Sequence, residues 1–118
     1  MLVAIDHVQL GMPAGGEEKA RAFFPKVLGI SEVPRPDFLS KRGGLWFQQG
    51  SVKLHLGVEE NFRPARKAHP AFVVDDFDAT VERCRAAGAN VVPADDFAGH
   101  RRCHVDDPFG NRIELMGR

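Results

Sequence analysis

Apolar and polar residues alternate along "VAIDHVQLGM", residues 3–12. Val8, Leu10 and Met12 fall on one face, His7, Gln9 and Gly11 on the other. A period of two predicts a half-buried strand. After the break at "PAGG" the period changes. Ala20, Phe23, Phe24, Val27 and Leu28 stand at i, i+3, i+4, i+7 and i+8, the apolar stripe of a helix. Glu17 and Glu18 suit its positive N-terminus, and Gly29 can end it in the left-handed conformation. Pro25 lies inside the stripe, where it forfeits a backbone hydrogen bond, so a kink or an early break is expected there. "ISEV" follows as a short strand. "GLWFQQGSVKLHLGV" then predicts a hairpin of Leu45 to Gln48 and Val52 to Val58 around the turn "QQGS". In its second strand Val52, Leu54, Leu56 and Val58 share one face, and Lys53, His55 and Gly57 share the other.

Polar "EENFRPARK", residues 59–67, reads as a linker, and beyond it the plan recurs. "AHPAFVV" is strand-like, and "DDFDATVERCRAAG" is a helix capped by Asp75 or Asp76 and closed by Gly88. "ANVV" is a short strand. "RRCHVDDPFGNRIELM" is a hairpin that turns through residues 107–111. The order strand, helix, strand, strand, strand thus occurs twice, about 60 residues apart. This predicts one α+β domain, residues 1–118, made of two βαβββ modules, residues 1–58 and 68–118. Neither module is large enough to bury its sheet alone, so the two pack together or across a dimer.

Sixteen basic residues offset sixteen acidic ones among the 118. No global field favours nucleic acid or an anionic membrane. No run approaches the roughly 18 apolar residues of a spanning helix, and no signal-peptide pattern opens the chain, so a cytoplasmic protein is expected. Cys84 and Cys103 have neither metal-binding nor redox spacing and read as reduced packing thiols.

Chemistry is sought on the polar faces. In "RIELM", Ile113 and Leu115 share an apolar face, which leaves Glu114 on the opposite one. Overlaying the repeats sets His7 opposite His69. It also aligns "VKL" with "IEL", which pairs Lys53 with Glu114 and places His55 two residues further along the same face. Two histidines and a carboxylate, with a third histidine near, suit a first-row divalent metal. Solvated or hydrogen-bonded surface residues are the other reading of the same spacing. Arg63, Arg66 and Lys67 are candidates for binding a substrate carboxylate or phosphonate, or else they solvate the linker, and Arg101 and Arg102 share that choice. His104 either supports a ligand or packs, and His100 is expected in an exposed loop.

"DHVQL", "FFPKVLGI", "AHPAFVVDDFDA" and "VDDPFGNRIEL" resemble the vicinal oxygen chelate superfamily of glyoxalase, bleomycin resistance protein and extradiol dioxygenase. The resemblance spans essentially the whole chain, and "DPFGNRIEL" is its most specific part. It implies the glyoxalase-like fold, in which curved mixed sheets form a cleft holding a divalent metal ion: Zn, Ni, Mn, Fe or Co. Family ligands match His7, His69 and Glu114, with His55 as a fourth ligand or as a proton carrier. Glyoxalase I enzymes carry a glutamate on the strand ending the first module, and the overlay puts Lys53 there. Extradiol dioxygenases use a tyrosine, and this chain has none.

The function so implied is a glyoxalase-like, metal-dependent enzyme that chelates neighbouring oxygens of a small substrate. Its metal would act as Lewis acid in isomerase, lyase, epimerase or thiol-transferase chemistry. A homodimer is implied with it. The alternative is a metal-free small-molecule binding or antibiotic-sequestering protein of the bleomycin resistance type.

Overall fold

Two four-stranded sheets carry the chain, one in each of two units, residues 1–63 and 64–118. The division falls inside the polar segment expected to be a linker. The computed structural model describes the backbone of residues 1–118 and every side chain except that of Ser40.

In module one, β1 (Val8–Met12) leads to α1 (Glu17–Leu28), β2 (Ser31–Val33), a 3-10 helix (Asp37–Arg42), β3 (Leu45–Gln49) and β4 (Val52–Val58). The sheet order is β1-β4-β3-β2, with β1 parallel to β4 and the other pairs antiparallel. Module two repeats this as β5 (Ala71–Val74), α2 (Phe77–Ala86), β6 (Val91–Phe97), β7 (His100–Asp106) and β8 (Arg112–Gly117). Its order, β5-β8-β7-β6 with β5 parallel to β8, is the same. The expected α+β fold of two βαβββ modules is therefore present.

Helix α1 buries its predicted stripe, Ala20, Phe23, Phe24 and Val27, against β2 and β3. Phe24 meets Phe47 with ring centroids 5.3 Å apart. Gly29 closes the helix at φ 72°. The helix runs through Pro25 without a break. One hydrogen bond is lost there, but the buried side chains on both sides of it pin the turn to the sheet. Each fully buried Leu or Phe contributes about 1.5–3 kcal/mol, and Phe47, Leu54 and Leu56 are all in this class.

In α2 the Asp76 carboxylate accepts from the Ala79 N–H at 3.0 Å, which caps the helix start. Thr80, Val81 and Cys84 are buried on a helix that packs on β6, β7 and β8, whose core side chains are Cys103, Val105, Ile113 and Leu115. Both cysteines are free thiols. Burial pushes the Cys84 thiol up to about 11.

The turn between β7 and β8 is built on a buried carboxylate. Asp107 accepts from Phe109 N at 2.9 Å, Asn111 N at 2.8 Å and Asn111 Nδ2 at 2.8 Å. Burial raises its pKa from the usual carboxylate range. Three bonds into a five-residue turn fix the hairpin register, so Asp106 faces Arg112, Val105 faces Ile113 and His104 faces Glu114.

Three local expectations differ from what is found. The first strand begins at Val8, and residues 1–7 stay outside the ladder with Leu2 101% and Val3 97% exposed. β1 pairs on one side only, with β4, so alternation upstream of Val8 has no sheet to join. β6 extends from "ANVV" to Phe97, past a register shift between Ala94 and Phe97, because Asp95 and Asp96 mask the strand pattern. His100 begins β7, half-buried, with its ring against the Gly117 carbonyl, and is not a loop residue. Among the described residues no helix is long and apolar enough to cross a membrane.

Candidate functional site

Strand alternation on β8 sends Ile113 and Leu115 into the α2 side of the sheet and turns Glu114 to the other face. Glu114 is nevertheless only 8% exposed. Three basic side chains cover it. His69 Nε2 lies 3.0 Å from Oε1, His104 Nε2 lies 3.6 Å from the same oxygen, and an Arg102 guanidinium nitrogen lies 3.7 Å from Oε2.

The His69 ring is oriented by its other nitrogen. Nδ1 stands 2.8 Å from the Lys67 carbonyl oxygen. A carbonyl can only accept, so Nδ1 carries the proton and donates. The Nε2 lone pair of a neutral ring then points at a carboxylate oxygen. Two electron-rich atoms at 3.0 Å require a positive charge between or upon them, either a second imidazole proton or a metal ion. A backbone carbonyl behind one nitrogen and an acidic donor before the other is how metal-binding histidines are held. Donors at about 2.1 Å from a first-row ion lie roughly 3.0–3.4 Å from one another, a range the His69–Glu114 separation already meets. Ligand atoms of His69, His104 and Glu114 all lie within 4.8 Å of one another. Burial first, and Arg112 next, hold His104 below the usual imidazole range, which keeps its lone pair available near neutral pH. These residues fit a divalent cation.

In module one the same face carries rings instead. His7 stacks on His55 at 4.1 Å between centroids, and His55 stacks on Trp46 at 4.0 Å with planes only 4° apart. His7 is steadied at Nδ1 by Asp6 Oδ2 at 2.9 Å, and Lys53 Nζ lies 3.6 Å from Oδ1 of the same carboxylate. The Asp6 bond leaves Nε2 of His7 unclaimed among the described residues. His55 is 8% exposed, and burial followed by the nearby His7 lowers its pKa.

Sheet register corrects the repeat overlay. In module one His55 pairs with Gln9 on β1 and Trp46 on β3. In module two Glu114 pairs with Ala71 on β5 and His104 on β7. His7 precedes Gln9 by two residues, as His69 precedes Ala71. His55, not Lys53, is therefore the counterpart of Glu114, and Trp46 is the counterpart of His104. A shift by two leaves the alternation of polar and apolar positions unchanged, so residue pattern alone did not reveal it.

His69 and Glu114 meet as the sequence implied. The third histidine beside them is His104, whose role spacing left open. A hairpin centred on Phe109 was the signal, since it places residue 104 directly across from residue 114. His7 and His55 are brought together in module one. Arg66 binds Asp106 Oδ1 at 3.0 Å and the Gly110 carbonyl at 2.5 Å, which commits it to bracing the β7–β8 turn, while Arg63 is exposed.

The family model described as the Glyoxalase/Bleomycin resistance protein/Dioxygenase superfamily matches residues 4–115. No curated protein matches the chain. Among solved structures, a Bacillus anthracis protein described as belonging to the glyoxalase family is 45% identical with a TM-score of 0.92, over 100% of this chain and 97% of that one. The fosfomycin resistance protein FosX from Mesorhizobium loti is 20% identical with a TM-score of 0.75, covering 100% and 94%. A glutamine mutant of Listeria monocytogenes FosX, complexed with Mn(II) and 1S,2S-dihydroxypropylphosphonic acid, is 18% identical with a TM-score of 0.78, covering 98% and 90%. At these lower identities the likeness is one of fold. With a family match over nearly its full length and the two-module architecture in place, the chain belongs to the glyoxalase, bleomycin resistance protein and dioxygenase superfamily.

Proposed function

We propose that the protein is a divalent-metal-dependent enzyme acting on a small molecule. The observation that carries this reading is the His69–Glu114 contact, in which the Lys67 carbonyl turns an imidazole lone pair toward a carboxylate. His69 and Glu114 would hold the ion. His104 and His7 are the two candidates for the next coordination position, and His7 could come from the same chain or from a second copy. When bound, the ion would supply Lewis acidity to neighbouring oxygens of a substrate. Glu114 offsets the charge of the ion, and Arg102 beside it limits how far that carboxylate can swing.

The reaction class we favour is the isomerase, lyase or thiol-transfer chemistry of the glyoxalase group, with epoxides of the fosfomycin kind among the substrates to try. Free, buried Cys84 and Cys103 support a reducing, cytoplasmic setting. The exposed Leu2, Val3 and Ile5 support a homodimer that covers them.

Metal analysis of protein purified without chelator, followed by calorimetric titration with Mn(II) and Zn(II), tests the reading. One ion per chain is expected, with affinity at least about tenfold weaker in Glu114→Gln, a loss of about 1.4 kcal/mol. Unchanged affinity in both His69→Ala and Glu114→Gln would remove the metal from this site, and no measurable binding by the wild type would leave the sequestering protein of the bleomycin resistance type. Mixing His7→Ala with Glu114→Ala protein reads the source of His7: recovery of binding means that two chains share a site.

A further inference from the structure

Module one contains a cavity of about 500 Å³ on the open face of its sheet. Arg35, Arg42 and Lys53 line it, against the single carboxylate of Asp6. Asp6 offsets one of these three charges, that of Lys53, and the two arginines have no ion pair among the described residues. Arg35 donates to the Gly43 and Leu39 carbonyls at 2.5 Å each, which fixes its guanidinium without neutralising it. Lys53 shares Asp6 with His7. Arg42 has no ion-pair partner among the described residues. A pocket with two cations in excess, on a chain with no net charge, is a local concentration of positive potential.

The interior is shaped as well as charged. Gln9 reaches over Gly57, and a Cβ on Gly57 would come within 2.6 Å of the Gln9 amide nitrogen. Glycine is used at that point for space, so that an amide donor can lie against the sheet inside the cavity. Across the strands stands the stack of Trp46, His55 and His7, whose ring edges border the same space. Cationic forks, an amide donor and ring edges around roughly this volume are the elements of a site for a small organic ligand.

We propose that this cavity binds a small organic anion, a carboxylate or a phosphonate, through Arg42 and Arg35 with Gln9 as a neutral donor. The proposal deepens the enzymatic reading and rests on it for the name substrate, because it says which chemical class the enzyme would act on. Arg42 is the specificity residue. It reads the charged end of the ligand and leaves the rest of the molecule toward the ring edges. Guanidinium recognises carboxylate and phosphonate alike through paired N–H donors, so both belong to one chemistry.

Trp46 is the only tryptophan in the chain and lies in the cavity wall, which gives a local fluorescence reporter. The experiment titrates the whole chain in excess EDTA, so that no metal takes part. Probes are succinate, methylphosphonate and uncharged succinamide. Saturable change in Trp46 emission with either anion and none with succinamide is expected, and the tighter anion names the class. Arg42→Ala should weaken that binding at least tenfold, while Arg42→Lys keeps more than Arg42→Ala does. Gly57→Ala, which leaves every charge in place, should also weaken it by displacing Gln9. Arg42 is exposed, and circular dichroism matching the wild type will show that Arg42→Ala folds. An equal response to succinamide, no saturable response to either anion, or unchanged affinity in folded Arg42→Ala would overturn the proposal. With EDTA present these outcomes are independent of whether His69 and Glu114 bind a metal, so failure of one reading leaves the other measurable.

Discussion

Modules one and two share strand order, pairing directions and helix placement, yet they put opposite chemistry at the same register. Where β8 carries Glu114 between Ala71 and His104, β4 carries His55 between Gln9 and Trp46. The carboxylate draws donor nitrogens toward it, and the imidazole is packed face to face with rings. One sheet therefore presents a cluster of donor atoms that could hold a metal ion, and the other a stacked wall beside a cationic cavity. The lesson is that a βαβββ scaffold fixes the place of a functional residue while leaving its chemistry open.

The hairpin turns differ as sharply, and breaking them gives the largest expected effect. Asp107→Ala removes a buried acceptor of three hydrogen bonds and should cost about 3 kcal/mol, read as a lower urea midpoint. In module one the matching turn at Gly50 and Ser51 is exposed, and its Gln48 side chain donates to the Gly50 carbonyl at 3.1 Å. Gln48→Ala should cost less than about 0.5 kcal/mol. Similar losses in both variants would mean that the buried turn is not what separates the modules energetically.

Next comes the pair at the shared register. Glu114→Gln should weaken Mn(II) or Zn(II) binding at least about tenfold, whereas His55→Phe, which keeps the stack and loses the nitrogens, should change it by less than about twofold. His55→Ala opens the stack, so Trp46 emission should shift and His7 should lose its support. If His55→Phe sheds metal as Glu114→Gln does, His55 is a ligand and the contrast between the modules narrows.

Titration sharpens the comparison with a smaller effect. His55 and His104, one in each module, both have pKa values held below 6.5, with burial the first cause. The unfolded chain takes up these protons near 6.5 while the folded chain resists them. Their contribution is therefore present above pH 6.5 and lost as pH falls below it. Metal-free protein should show a falling urea midpoint from about pH 7 to about pH 5, with the slope reduced in His55→Phe. An unchanged slope would assign the loss to other groups. The smallest effect concerns thiols: Cys84, pushed up to about 11, should react with iodoacetamide only on unfolding. Rapid labelling of native protein would show that the α2 side of module two opens locally.

Much of this was legible in residue pattern. Period-two runs located most strands, the Ala20-to-Val27 stripe located α1, and Asp76 and Gly88 bounded α2. Glu114 between Ile113 and Leu115 announced a carboxylate on the open face. Register was harder to read. Side chains repeat every two residues along a strand, so sliding "VKL" onto "IEL" satisfied the pattern as well as the true pairing did. Pairing with the first strand of each module, Gln9 with His55 and Ala71 with Glu114, separates Lys53 from His55, while counting outward from the Asp107 turn identifies His104. The cavity charge was hidden for another reason. Arg35 precedes and Arg42 ends a 3-10 segment without clear periodicity, and the guanidinium of Arg35 is held by carbonyl bonds that no pattern of apolar residues records.

The buried Asp107 turn also sets an order of events in time. A hairpin closed by a five-residue loop forms by local contacts, in roughly microseconds for isolated hairpins, whereas parallel pairing of β5 with β8 must close a far longer loop. His104 and Glu114 should thus be aligned early, with His69 delivered last when β5 docks. Folding of this module then resembles the closing of a clasp, with the final donor arriving on the slowest strand. A divalent ion present during refolding would act mainly on that late step, retaining β5 once it has docked and slowing its release.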